Sequence, residues 1–174
     1  MGDELARALP AGDVRWFVLH TLSRQEKALA ESLEKRRVEV FLPLVKEKRS
    51  HGRRRVVVER PLFPGYVFLR GTVEEAYEAD RTKRVANLIE VADQAALGWE
   101  LSNIRLALER EAGPLDPHPY LKVGVRVAVR SGPLRGLEGV VAERTRHDRV
   151  VLQVRTLGRA VAVETDGALV EVLE

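Results

Sequence analysis

The chain has 174 residues, 45% of them hydrophobic and 32% charged, with 29 Lys and Arg against 26 Asp and Glu and no cysteine. That length fits one domain, or one medium and one small unit; the apolar fraction excludes wholesale disorder, and the lack of Cys excludes a disulfide framework, a thiolate metal site and a thiol nucleophile, which points to the cytoplasm. No apolar run nears the roughly 20 residues that span a bilayer, so no membrane contact is expected, and residues 1–13 lack the basic-then-apolar order of a signal peptide and are expected to form a flexible leader.

Residues 14–21 (VRWFVLHT) form a short β-branched and aromatic run suited to a buried strand. Ser23 followed by Glu26 has capping-box spacing, which predicts a helix to about residue 37 with Leu29 and Leu33 on its apolar face. A second strand is read at 38–44, with Pro43 placing it at an edge or at its end. The net charge of +3 is unevenly spread: residues 45–70 carry eight basic and two acidic side chains, and residues 71–120 carry five and ten. The basic stretch reads as a hairpin with its tip at 50–52 and its return arm at 56–59, either a solvated tip or a polyanion contact. A strand at 66–70 follows, then a short acidic helix capped by Thr72 and Glu75, a strand at 85–91 and a helix at 99–112. This order predicts an α+β sandwich, helices packed on a mainly antiparallel sheet.

Prolines at 114, 117 and 119 predict a stiff, extended linker over 113–120. Beyond it the hydrophobic period changes to two, and five short strands are read at 123–129, 140–142, 150–154, 160–163 and 169–173, with turns at 131–139, 145–148, 156–158 and 166–167. Such spacing suits a small β-barrel over 121–174. Gly132, Gly136 and Gly139 stand where tight turns or bulges need a residue without a Cβ.

No phosphate loop, dinucleotide fingerprint, HExxH, GxSxG or calcium-loop pattern occurs. His20, His51, His118 and His147 fall on four different elements with no metal-ligand spacing. No enzyme activity, metal or cofactor is therefore expected, and function is assigned to binding surfaces.

The succession WFVLHT, VEVFLPL, the basic hairpin, PLFPGYVFLRG, the Pro-rich linker and VGVRVAVRSGPLRGLEGVV resembles the NusG family of transcription elongation and antitermination factors along nearly the whole chain. The resemblance implies an N-terminal NGN domain (14–112), a linker (113–120) and a C-terminal SH3-like KOW barrel (121–174) in a monomer. PLFPGYVFL and LGRAVAVE are similar to specialised paralogues such as RfaH, LoaP and the UpxY regulators; the general NusG with Rho-dependent termination, and an RNA- or ribosome-binding KOW protein, are the alternatives. The family's NGN domain sits on the clamp helices of the largest RNA polymerase subunit. By resemblance the polymerase-facing residues are Trp16, Val18, Phe63, Pro64, Gly65, Tyr66 and Phe68. Phe63 and Tyr66 are expected to be available, since Pro64 and Gly65 beside them disrupt regular pairing. Arg24, Gln25, Lys27, Lys83 and Arg84 would face the non-template DNA strand, and Arg53, Arg54 and Arg55 upstream duplex DNA. The KOW domain would bind a ribosomal protein or Rho; its period-two valines predict a stable barrel that does not refold as helices to mask the NGN domain.

Overall fold

A computed structural model describes residues 13–143 and 147–174. Apart from Asp13, the expected leader lies outside the described residues, as does part of the turn at 145–148. The contacts divide the chain into two compact units, Met1–Gln94 and Ala95–Glu174, whereas the sequence reading drew its boundary at 113–120.

The first unit runs β1 (Arg15–Thr21), α1 (Glu26–Lys35), β2 (Glu39–Phe41), β3 (Leu44–His51), β4 (Arg54–Pro61), β5 (Tyr66–Gly71), α2 (Val73–Arg81) and β6 (Val85–Ile89). Four strands form an antiparallel sheet in the order β2-β5-β1-β6, and β3 with β4 forms a separate two-stranded ribbon. Side chains alternate across a strand, so Phe17 and Leu19 of β1 and Val67 and Leu69 of β5 share one face. There they pack against Leu29 and Leu33 of α1 and Val73, Ala76 and Ala79 of α2. Trp16, Val18 and His20 take the other face, opposite Arg70, Phe68 and Tyr66. The register therefore gathers four of the seven polymerase-facing candidates on the side turned away from both helices.

The cap expected at Thr72 is present in full: Glu75 N–H donates to Thr72 Oγ1, and Thr72 N–H donates to Glu75 Oε1, each at 3.2 Å. The cap expected at Ser23 is absent. The helix begins at Glu26 behind Gln25, whose side chain makes no capping bond, and the Glu26 carboxylate is engaged elsewhere. The run at 38–44 is shorter than expected, since pairing with β5 stops at Phe41 and Pro43 separates it from β3. The hairpin is longer, its return arm starting at Arg54 directly after the Gly52–Arg53 turn. β6 pairs with β1 only as far as Ile89↔Val18. Past that point the Gln94 side chain stands in for a strand: its Oε1 accepts from Trp16 N–H at 2.6 Å and its Nε2 donates to Trp16 O at 2.9 Å.

In the second unit, α3 (Gln94–Glu109, its first residue belonging to the first unit) precedes β7 (Asp116–His118), β8 (Val125–Val129), β9 (Glu138–Val141), β10 (Arg149–Val154), β11 (Arg159–Glu164) and β12 (Val170–Val172). The strands form one antiparallel sheet in the order β12-β8-β9-β10-β11-β7. The five expected strands are joined by a sixth, because residues 116–118 of the Pro-rich stretch pair with Ala160, Val161 and Ala162 of β11. Pro117 is tolerated there since β7 is the outermost strand and its missing N–H interrupts no further ladder. Val123, read as strand, is 88% exposed, and β8 begins two residues later.

Helix α3 starts five residues earlier than expected and is tied to the sheet by polar groups. Buried Glu100 accepts from Arg155 N–H at 3.1 Å, and buried Asn103 accepts from Glu138 N–H at 2.8 Å. Trp99 Nε1 donates to Glu138 Oε2 at 3.1 Å while the Arg126 guanidinium lies 5.1 Å from the Trp99 ring centroid. Polar residues on an inward face blur the apolar stripe from which a helix is read.

Gly132 and Gly136, with φ of 82° and 92°, occupy the β8–β9 turn as expected. Gly139 instead lies inside β9, where β10 passes so close that an added Cβ would stand 2.6 Å from Val150 Cγ1 and 2.7 Å from Val151 O. Gly139→Ala must push two buried strands apart, and we expect a loss of about 1–3 kcal/mol from the second unit, measured by urea unfolding; an unchanged midpoint would refute the close approach.

Candidate functional site

Three segments converge at the end of β1. The first is the turn carrying FPGY, where Tyr66 N–H donates to Phe63 O at 3.2 Å and Gly65 adopts φ +90°, a left-handed conformation that disfavours any Cβ. Gly65 is held from both sides: its carbonyl accepts from Thr21 N–H at 2.8 Å, and its N–H donates to Glu26 Oε1 at 2.8 Å. Glu26 is 9% exposed, so this bond meets the need of a largely desolvated carboxylate. The anchored turn sets Tyr66 against exposed His20, the rings stacked with centroids 5.0 Å apart and planes at 22°.

The second segment is the turn leading into α1, closed by Gln25 N–H to Leu22 O at 3.1 Å, with Arg24 at φ +60°. A β-turn that needs positive φ at its third residue favours Gly or Asn there. Arg37, Lys83 and Glu111 also have positive φ, but each lies just beyond a helix end, where the left-handed state terminates the helix. Arg24 precedes its helix and has no such explanation.

The third segment follows α2. Arg84 O accepts from Leu22 N–H at 2.8 Å and the Arg84 guanidinium donates to Gln25 Oε1, while Arg84 N–H donates to Thr82 Oγ1 at 3.3 Å. Lys27 reaches back along α1 and donates to the Glu59 carbonyl on β4. Of the DNA-facing candidates, Arg24, Gln25 and Arg84 are thus drawn into one cluster; Lys83 is exposed beside Arg84, and Lys27 is the second residue of α1. Arg53, Arg54 and Arg55 stand apart at the exposed tip of the β3–β4 ribbon.

Among the polymerase-facing candidates, Pro64 is exposed and Trp16, Gly65 and Tyr66 are half-buried, whereas Val18 and Phe68 have no exposure. Phe63 corrects an expectation: it is 4% exposed rather than available. The irregular stretch before β5 is pinned by Leu62 N–H on Pro43 O at 2.8 Å, and it is Pro64 that stays in water while the ring of Phe63 is buried. Sequence reasoning passed over His20 as a site residue, although its alternation with Trp16 and Val18 puts it on the same face. It also passed over Phe41, half-buried with its ring 6.3 Å from Phe68, and over Glu26, whose carboxylate it assigned to a helix cap.

Among the described residues no three His, Asp or Glu side chains gather as metal ligands, and no helix is long and apolar enough to cross a membrane. The arrangement fixes aromatic and basic groups side by side on a backbone tightly bonded to itself.

A helix-backed antiparallel sheet with these two turns at one end of its central strands, followed in the same chain by a small antiparallel β unit, defines a two-part α+β protein. The family described as "Transcription termination factor nusG" matches residues 14–98. The chain is 29% identical over 182 aligned positions to the "Transcription termination/antitermination protein NusG" of Deinococcus radiodurans, covering 88% of this chain and 96% of that one. It is 29% identical to the protein of the same description from Yersinia pestis and 28% to that of Escherichia coli K12, each over 172 positions covering 90% of this chain and 95% of the relative. Residues 14–98 thus form an NGN domain of the NusG family, and these relatives extend the similarity along most of the chain.

Removing the Glu26 carboxylate leaves the Gly65 amide without its acceptor. Glu26→Ala is expected to lower the stability of the first unit by about 1–3 kcal/mol and to shift the NMR resonances of His20 and Tyr66. Glu26→Gln retains an acceptor oxygen and should restore most of both; equal behaviour of the two variants would dissociate the carboxylate from the turn.

Proposed function

We propose that this protein is a transcription elongation factor that seats on the clamp helices of RNA polymerase through its NGN domain, suppresses pausing and so promotes antitermination, in the manner of a specialised NusG paralogue. The observation that carries this reading is the adjacency of the aromatic turn and the basic turn, both fastened to the end of β1 and the start of α1 by the bonds of Gly65, Glu26, Gln25 and Arg84. A surface that must meet polymerase and the neighbouring DNA strand at once needs such a rigid junction.

In this reading Trp16, Pro64, Gly65 and Tyr66 form the polymerase contact over a floor of Val18, Phe63 and Phe68. Half-buried aromatics of this kind supply desolvated area at small rotamer cost. Arg24, Gln25, Lys27, Lys83 and Arg84 face the non-template strand, where cations offset phosphates and Arg also stacks on unpaired bases. Holding the clamp and that strand together would keep the DNA channel closed and disfavour paused states. The second unit, shaped by Gly132, Gly136 and Gly139, would be a KOW barrel that recruits a ribosomal protein or Rho in the cytoplasm.

The relatives' shared description couples termination to antitermination, which favours a second reading, the general NusG acting with Rho. Capture of Rho by the full chain, tested beside capture of core RNA polymerase, separates the two. We expect polymerase to co-purify with the wild type and to be lost from a Trp16→Ala, Tyr66→Ala double variant that keeps its fold. Wild-type protein that ignores polymerase yet retains RNA or ribosomes would overturn the elongation-factor reading.

Arg24 gives a further check. Arg24→Gly removes a left-handed Arg that costs about 1–2 kcal/mol, partly offset by the greater freedom of Gly in the unfolded chain. Stability should therefore hold or rise slightly, while affinity for single-stranded DNA falls. A fall in stability with unchanged DNA affinity would show that Arg24 serves the fold.

A further inference from the structure

The β3–β4 ribbon is a sheet of its own, paired from Leu44↔Pro61 to His51↔Arg54 and joined to neither of the larger sheets. Its distal part, residues 48–57, contains five cations, Lys48, Arg49, Arg53, Arg54 and Arg55, and no carboxylate. Every one of those ten residues is exposed.

Cross-strand partners share a face of an antiparallel pair. The register Lys48↔Val57 and Ser50↔Arg55 therefore puts Lys48 and Arg55 on one side, and Arg49↔Val56 with His51↔Arg54 puts Arg49 and Arg54 on the other. Arg53 sits at the turn beside Gly52, whose φ is 60°. Val56 and Val57 point to opposite faces and are 42% and 58% exposed, so neither side of the distal ribbon is packed away. The nearest acid, Glu47, lies nearer the base, where it bridges Arg49 at 3.3 Å and Arg60 at 3.1 Å. Among the described residues no ion pair engages Lys48, Arg53, Arg54 or Arg55.

A ribbon that lies flat on an anionic surface needs cations on one face. A ribbon cationic and open on both faces matches a groove with a phosphate wall on each side. The major groove of B-form DNA, about 12 Å wide and 8.5 Å deep, admits a two-stranded β-ribbon, whereas the deep, narrow major groove of A-form RNA does not let side chains in. A single strand offers one row of phosphates and is ordinarily held by stacked aromatics, and residues 48–57 contain no Phe, Tyr or Trp. They also contain no Asn or Gln, the usual bidentate readers of adenine.

We propose that residues 48–57 insert into the major groove of duplex DNA and grip both phosphate walls with little regard to sequence, Val56 and Val57 covering apolar base edges. This deepens the DNA-facing part of the proposed function. It adds Lys48 and Arg49 to the three tip arginines already expected at duplex DNA and specifies the major groove as their seat, separate from the strand facing Arg24 and Arg84.

The test is fluorescence anisotropy of the full chain with a 20-base-pair DNA duplex, one of its strands alone and the RNA duplex of the same sequence, titrated between 50 and 200 mM salt. Arg54→Ser, Arg55→Ser is compared with a control of equal charge loss in the second unit, Arg135→Ser, Arg159→Ser. Each phosphate contact contributes about 0.9 to the slope of log affinity on log salt. The hairpin variant should therefore be shallower by about 1.8, so that the wild type loses about ten times more affinity than the variant across that range. The control should keep the wild-type slope, and the wild type should prefer the DNA duplex to both other ligands. Equal slopes for wild type and hairpin variant, a control that matches the hairpin variant, or a preference for single strand or RNA duplex would overturn the proposal. Polymerase capture is read in parallel: wild type that fails to capture polymerase but keeps the duplex slope defeats the proposed function and leaves this inference standing.

Discussion

The bond from the Gly65 amide to the buried carboxylate of Glu26 is the contact on which the candidate site of the first unit depends. It joins the start of α1 to the turn before β5, and the reciprocal bond from Thr21 to Gly65 adds the end of β1. The end of β1 and the start of α1, neighbours in sequence, are thereby both tied to a turn 39 residues beyond Glu26 through one residue that has no side chain of its own. Charge-assisted bonds to a backbone amide are stronger than neutral ones, and here the geometry leaves the acceptor little water to compete with. Tyr66 follows Gly65 directly, so the stack on His20 inherits its orientation from this bond. The basic turn uses the same device one residue away, with Leu22 and Gln25 both bonded to Arg84.

Charge along the chain complements this layout. The cations of the ribbon stand on a projecting sheet of two strands, while α2 opens with Glu74 and Glu75 and carries Glu78 and Asp80 farther along. Such a separation orients a molecule on a polyanion before any contact forms, because the acidic side is repelled as the basic side is drawn in.

Much of the fold was legible where one local rule acted without competition. The short β-branched and aromatic run at 14–21 and the strand read at 66–70 predict β1 and β5, and Thr72 with Glu75 predicts the start of α2, since both partners of that cap lie within one turn of each other in sequence. Ser23 and Glu26 have the same spacing and failed, because Glu26 finds a partner 39 residues away in Gly65 that no local pattern reveals. The prolines at 114, 117 and 119 predict a stiff, extended linker, yet an outer strand needs bonds on one side only, and residues 116–118 find them on β11. Helix α3 turns Glu100 and Asn103 inward, so the apolar stripe from which a helix is read is interrupted. At the site, residue types were legible and exposure was not: Phe63 and Tyr66 look equivalent beside Pro64 and Gly65, and only the three-dimensional turn buries one and leaves the other half in water.

The amide of Gln94 bonded to both backbone groups of Trp16 has an effect beyond local hydrogen bonding. An unpaired stretch of strand is a template on which another chain can add itself, and proteins ordinarily guard such stretches with charge, proline or a covering element. Here a single side chain saturates both the donor and the acceptor where β6 has already ended, beside an aromatic residue that would otherwise favour self-association. The backbone of Trp16 is in this way denied the main-chain valence through which a second copy of the chain would add a strand to it.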